Sequence, residues 1–145
     1  MDVDADLTAP CTTNELFAWV EDLGRYPEWL GIVQRAEVLP DDPDGRPAWQ
    51  VELRGRLGPL ARSKRLRMVR TESSESGVVF ERSEHDGRHH SAWVLCAEVA
   101  PTIDGSSLTM RLHYGGSLWG PVLERLLRDE IDRSRARLLE RVAGR

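Results

Sequence analysis

The sequence predicts a single α+β domain over residues 1–145: a curved antiparallel sheet of about seven strands laid around a long C-terminal helix. Three patterns predict it. From Val33 to about Tyr114 the apolar residues recur with period two, the spacing of strands with one covered face. From Leu118 to Val142 they recur at helical spacing. Between the first strand and the sheet, a capping signature and a proline mark two short helices.

The elements follow in order. Val3, Ala5 and Leu7 alternate with Asp2, Asp4 and Asp6, a half-exposed strand. Thr12, with Glu15 three places on, fits a capping box, in which each side chain satisfies a free amide at the helix start. Leu16, Trp19, Val20 and Leu23 then share one helical face, and Gly24 supplies a left-handed stop. Pro27 suits the first turn of a second short helix over 27–31, "PEWLG".

Six strands are expected next. "AWQVELRGRL" puts Trp49, Val51, Leu53 and Leu57 on one face and Gln50, Glu52, Arg54 and Arg56 on the other. "KRLRMVR" adds Leu66 and Met68, "GVVFERSEH" adds Val78 and Phe80, and "SLTMRLHY" adds Leu108, Met110, Leu112 and Tyr114. "SAWVLCAEV" is apolar on both faces, as a fully covered strand would be. Turn residues at Gly58-Pro59, Glu75-Ser76-Gly77, Asp86-Gly87-Arg88 and Asp104-Gly105 punctuate the runs as hairpins. In the last helix Val122, Leu123, Leu126, Leu127, Ile131, Leu138 and Leu139 form the apolar stripe. A rod about 37 Å long at 1.5 Å per residue cannot bury that stripe on itself; it must lie across the sheet.

Composition narrows the function classes. An apolar share of 40% against 30% charged residues is the balance of a folded soluble chain. A formal charge of −4 gives no global reason to expect nucleic acid. Cys11 and Cys96 form neither a metal nor a redox motif, which fits a reducing interior. "MDVDADL" is acidic where a secretory signal would be basic, and the longest apolar run, "AWVLCA", is far short of the ~20 residues of a membrane span. The expectation is a soluble cytoplasmic protein, a monomer or a homodimer, without metal or cofactor.

The element order, with "LFAWVEDLGRYPEWLGIVQRAEVL" near the start and "GSSLTMRLHYGGSLWGPVLERLL" near the end, resembles the helix-grip fold of the START and birch-pollen-allergen (SRPBCC) superfamily. More closely it is similar to the bacterial polyketide cyclase/dehydrase and lipid-transport branch. Members often show an aromatic-Pro-x-Trp step after the first helix and a glycine-rich turn into the last one. The resemblance implies an apolar cavity between sheet and helix that binds or carries a small hydrophobic molecule. It also leaves open a polyketide cyclase or aromatase enzyme, or an interaction protein like the superfamily's ribosome-associated toxins and ubiquinone-binding partners.

The residues expected to face such a cavity are Tyr26, Trp29, Trp49, Leu53, Met68, Phe80, Arg82, Trp93, Met110, Leu112, Tyr114, Trp119, Leu123 and Leu127. Tyr26 and Trp29 would stand at its mouth, or Trp29 would plug the end of the core. Arg82 and Glu84 share the inward phase of Phe80; they either pair with each other and orient a ligand, or leave the core and face water. For catalysis, Glu84 and Tyr114 are the inward acid–base candidates and Arg82 a carbonyl polariser. His85, His89 and His90 crowd one turn, where three ligands seldom converge on a metal. From Arg54 to Arg70 there are seven basic residues and no acid, a solvated sheet face or a surface for an acidic partner, an anionic lipid surface or ribosomal RNA.

Overall fold

The computed structural model describes residues 1–57, 60–116 and 120–144, and the side chains of 1–55, 63–116 and 124–144. Among these, seven antiparallel strands form one sheet in the order β1-β7-β6-β5-β4-β3-β2. They are β1 (Asp2–Ala9), β2 (Val33–Leu39), β3 (Ala48–Leu57), β4 (Leu60–Ser73), β5 (Gly77–Arg82), β6 (Trp93–Thr102) and β7 (Gly105–Tyr114). Helix α1 (Thr13–Phe17) and a 3-10 helix (Leu23–Glu28) follow β1, and α2 (Gly120–Gly144) ends the chain.

From β2 to β7 each strand pairs with the next, so the register follows from local turns. β1 closes the order on β7, with Ala5 opposite Met110 and Leu7 opposite Leu108. Trp49 lies opposite Met68 and Val51 opposite Leu66, which places the apolar phases of β3 and β4 on one face. That face is concave and carries the core, including Val51, Leu66, Met68, Phe80, Ala97 and Leu108. Bulges interrupt the pairing between Val33 and Arg35 and between Arg70 and Glu72, where a strand bends more sharply.

The helical segment after β1 departs from the sequence expectation. Thr12 caps α1 by accepting from the Glu15 amide at 3.1 Å, but the helix ends at Phe17, well before Gly24. Asp22 then caps a new helix, accepting from the Gly24 amide at 2.8 Å, so the second helix begins at Leu23 and holds Pro27 inside it. A 3-10 turn tolerates that proline because its short hydrogen-bonded ring asks less of each amide. The expected hairpin at Asp86-Gly87 is also longer than a tight turn. Gly87 does take the left-handed conformation, φ 72°, but β5 has already ended at Arg82 and β6 starts only at Trp93.

Candidate functional site

Helix α2 does not press evenly on the sheet. It rests on β1 at one side and β3 at the other, bridging the concave face between them. Beneath the bridge lies a hollow of about 130 Å³. Its floor is apolar sheet, with Leu66, Met68, Leu95, Leu108 and Met110; its roof is Leu127, Ile131 and Leu138 of α2.

Two small side chains stand on its lining. Ala5 stands on the inward face of β1, and Ser134 occupies the centre of the α2 stripe. A leucine at 134 would continue the series Leu127, Ile131, Leu138 and Val142. The buried serine instead donates to the Glu130 carbonyl at 2.6 Å and accepts a long bond, 3.4 Å, from the Gly31 amide. Gly31 allows this close crossing, since a Cβ there would run into Arg137 Nη1 and Glu130 Oε2.

Polar groups gather where α2 passes the β1 edge. Arg135 Nε donates to the Asp6 carbonyl at 3.0 Å, and its guanidinium also pairs with Asp132. Glu130 pairs with Arg133 at 2.6 Å. Asp6, Glu130, Ser134 and Arg135 border the hollow, and every charge among them already has a partner or faces solvent.

Aromatic groups bound it elsewhere. From the 3-10 helix, Tyr26 is fully buried and donates its hydroxyl to the Val20 carbonyl at 2.9 Å. Burial, helped by the Asp22 charge, pushes its phenol far above the usual tyrosine range. Trp29, its ring 4.9 Å from that of Tyr26, donates Nε1 to the Trp19 carbonyl at 3.0 Å. Both rings are buried and both stand on the wall of the hollow. Trp93 comes from the start of β6, opposite Tyr114, with ring centroids 4.9 Å apart. Its side chain is buried, and Nε1 has no hydrogen-bond partner among the described residues.

Of the residues expected around a cavity, the structure puts Tyr26, Trp29, Leu53, Met68, Trp93, Met110, Leu112 and Leu127 on the wall of this hollow. Trp49, Phe80 and Tyr114 are buried but not on it; Trp49 and Phe80 pack edge-to-face at 5.5 Å. Trp119 and the Leu123 side chain lie outside the described residues. Asp6, Glu130, Ser134 and Arg135 went unread. The missing signal was an interruption of the α2 stripe, which shows no apolar residue between Ile131 and Leu138 at the 134–135 positions.

Arg82 and Glu84 do not reach the hollow. They pair at 2.7 Å, and both side chains are largely covered, 8% and 17% exposed, so they do not face water either. Arg82 further donates to the Ser91 carbonyl at 3.3 Å and approaches His90 Nδ1 at 3.2 Å, while His90 Nε2 meets Asp86 at 2.8 Å. Backbone donation from Arg88 and the His90 contact hold the Asp86 carboxyl below its usual range. Lys64, on the same phase, has its ammonium pulled down by burial and then by the Arg82 charge, with Glu84 opposing. The network ties the 83–92 connection to β5. Within it Arg82 and Glu84 are paired with each other.

The histidines do not converge: His85 meets Asp42 at 3.3 Å, His90 meets Asp86, and His89 is exposed. On the basic face Arg54 and Arg65 are exposed, but Arg67 is 13% exposed and pairs with Asp42 at 3.2 Å, so it is a structural clasp. The Arg56 and Arg62 side chains lie outside the described residues.

Solved structures share this architecture. A START superfamily protein from Mycobacterium smegmatis superposes with a TM-score of 0.71 at 17% identity, over 99% of this chain and 97% of that one. The protein TTHA0849 from Thermus thermophilus gives 0.76 at 16% identity, over 99% and 98%. The di-domain ARO/CYC StfQ of the steffimycin biosynthetic pathway gives 0.65 at 16% identity, with 98% of this chain matching 48% of that one. At such identities the likeness is one of fold, the START-like helix grip. No curated protein matches the chain in sequence. Residues 10–142 match the family model for polyketide cyclase / dehydrase and lipid transport, and the chain belongs to that family.

Proposed function

We propose that the protein binds a small, largely apolar molecule in the hollow between the sheet and α2, and acts as its carrier or sensor. One observation carries the reading: a void of about 130 Å³ with apolar floor and roof, beneath a helix that bridges the sheet. A dry apolar void of roughly 150 Å³ is enough to take a benzene ring. Sites for drug-sized ligands run to about 300–1,000 Å³. The hollow therefore suits a guest with about one ring buried. A longer guest needs α2 to lift from β1, where the Arg135 bond to the Asp6 carbonyl spans the seam. Affinity comes from apolar burial, about 25 cal/mol per Å² removed from water.

Native mass spectrometry of the protein purified from its own host tests this. The expected result is a retained apolar molecule in the wild type that is lost in Ser134→Leu, which fills the hollow from its roof. Glu84→Gln should retain it, because that carboxylate lies away from the wall. A wild type that carries nothing and takes up no small aromatic probe would overturn the reading, as would equal retention in Ser134→Leu. Among the described residues no helix is long and apolar enough to cross a membrane.

A further inference from the structure

Strand β2 is an edge of the sheet, at the far end of the strand order from β1. An edge strand carries backbone donors and acceptors with no neighbour, and the hydrogen-bond pattern shows which residues hold them. The Arg70 amide donates to the Pro47 carbonyl, so residue 47 and every second residue after it turn their backbone groups to β4. Residues 48, 50 and 52 therefore turn theirs to β2, in step with the Arg54 amide, which donates to the Ile32 carbonyl. Their partners across that pair are Leu39, Glu37 and Arg35. Ala36 and Val38 are left with amide and carbonyl aimed outward, where no hydrogen bond meets them among the described residues. The 3-10 helix packs against β2 but leaves Arg35, Glu37 and Val38 exposed.

We propose that β2 pairs antiparallel with β2 of a second copy of this chain, with Ala36 on the two-fold axis. In that register Arg35 lies opposite the partner's Glu37, and Glu37 opposite the partner's Arg35. Because the backbone groups of these residues are spent on β3, they form the non-hydrogen-bonded pairs of the new seam, where side chains approach most closely. Within one chain the two side chains meet only at 3.7 Å and both stay exposed, so each is free to take a second partner. Moving the axis by one residue either way would set Arg35 against Arg35 or Glu37 against Glu37, so charge selects the register. A run of one sign would guard this edge against a second copy; one cation and one acid placed symmetrically about Ala36 match it instead. Val38 is 78% exposed, one of two large apolar side chains so open among the described residues, and the pairing covers it in part. The seam is short and buries little area, so the dimer is weak and forms as concentration rises.

Sedimentation velocity of the full chain, from micromolar to millimolar concentration, tests this. The wild type should show a monomer–dimer equilibrium. Glu37→Arg sets cation against cation at both ends of the seam and should weaken the dimer about tenfold or more. Arg35→Glu sets acid against acid and should do the same. The double variant, Arg35→Glu with Glu37→Arg, restores opposite charges and should recover the wild-type affinity to within about threefold. Mixed together, the two single variants should form a heterodimer tighter than either makes alone. Ala36→Pro removes the amide on the axis without touching the β3 pairing, and should leave a monomer.

A wild type that stays monomeric to millimolar concentration overturns the proposal. So does a dimer that neither the single reversals weaken nor the mixture strengthens, since it would be held by another face. Should Ala36→Pro fail to fold, the charge variants decide alone.

Discussion

The two aromatic pairs beside the hollow are built from the same residue types and do different things. At the 3-10 helix, Tyr26 and Trp29 pack at 4.9 Å and each spends its polar atom on a backbone carbonyl one turn or more away. At the start of β6, Trp93 and Tyr114 pack at the same distance, but the Trp93 donor is unspent among the described residues. The first pair is self-sufficient: its hydrogen bonds pin the Trp19–Val20 backbone and the 3-10 helix to each other, and it needs no guest. The second is complete in packing and incomplete in polarity. Ring geometry alone does not distinguish the two pairs; the fate of one N–H does.

The largest expected effect breaks the first pair by pH. Tyr26 keeps its proton in the folded chain far beyond the point, about pH 10, at which an unfolded tyrosine loses it. Its contribution to stability is whole below pH 10. Above that the unfolded state sheds a proton that the folded state holds, so stability falls by about 1.4 kcal/mol per pH unit. Urea midpoints from pH 9 to about 11.5 should show this decline in the wild type and a shallower one in Tyr26→Phe. At neutral pH the phenylalanine should cost about 1 kcal/mol for the bond to Val20. Parallel declines in the two proteins would sink the account.

The second pair can be broken from behind. A Cβ at Gly116 would overlap the Tyr114 ring, which a rigid aromatic cannot avoid by bending a flexible tip. Gly116→Ala should therefore cost about 1–3 kcal/mol, the usual range for forced overpacking, and turn Tyr114 away from Trp93. The Trp93 indole resonance should shift without any guest, while those of Trp29 and Trp19 stay in place.

How much of this could be read in the sequence differs from one element to the next. The period-two stretches specified β2 to β7 and their inward phase because one buried face fixes register strongly. The terminal stripe specified α2. The short helices were misplaced: α1 gives way to a turn over residues 18–20 and Asp22 then caps a new helix, which no periodicity of six residues can reveal. For the site, wall residues such as Met68, Met110 and Leu127 follow from strand and helix phase, since anything inward in the middle of the sheet faces the helix. Phase does not separate the wall from the packed core around it, so Trp49 and Phe80 were grouped with them. Arg82 and Glu84 share the inward phase too, yet the long 83–92 connection folds back over them through Ser91 and His90. The hollow itself is lined by residues from both ends of the sequence, Ala5 of β1 and Ser134 of α2 among them, which no local pattern brings together.

The smallest effect sharpens the comparison most. Trp29→Phe and Trp93→Phe make the same change to each pair: both keep an aromatic ring, lose the pyrrole portion of the indole and delete one N–H. Both lose some packing, and that loss should be similar, because Trp29 and Trp93 are buried to nearly the same degree, 4% and 5% exposed. The hydrogen-bond part differs. Trp29→Phe strands the Trp19 carbonyl, which had accepted at 3.0 Å, whereas Trp93→Phe removes a donor that had nothing to lose. Without guest, Trp29→Phe should thus be the more destabilising by about 1 kcal/mol in paired urea melts. Equal urea midpoints for the two variants would mean that the Trp29 bond to the Trp19 carbonyl contributes nothing to stability.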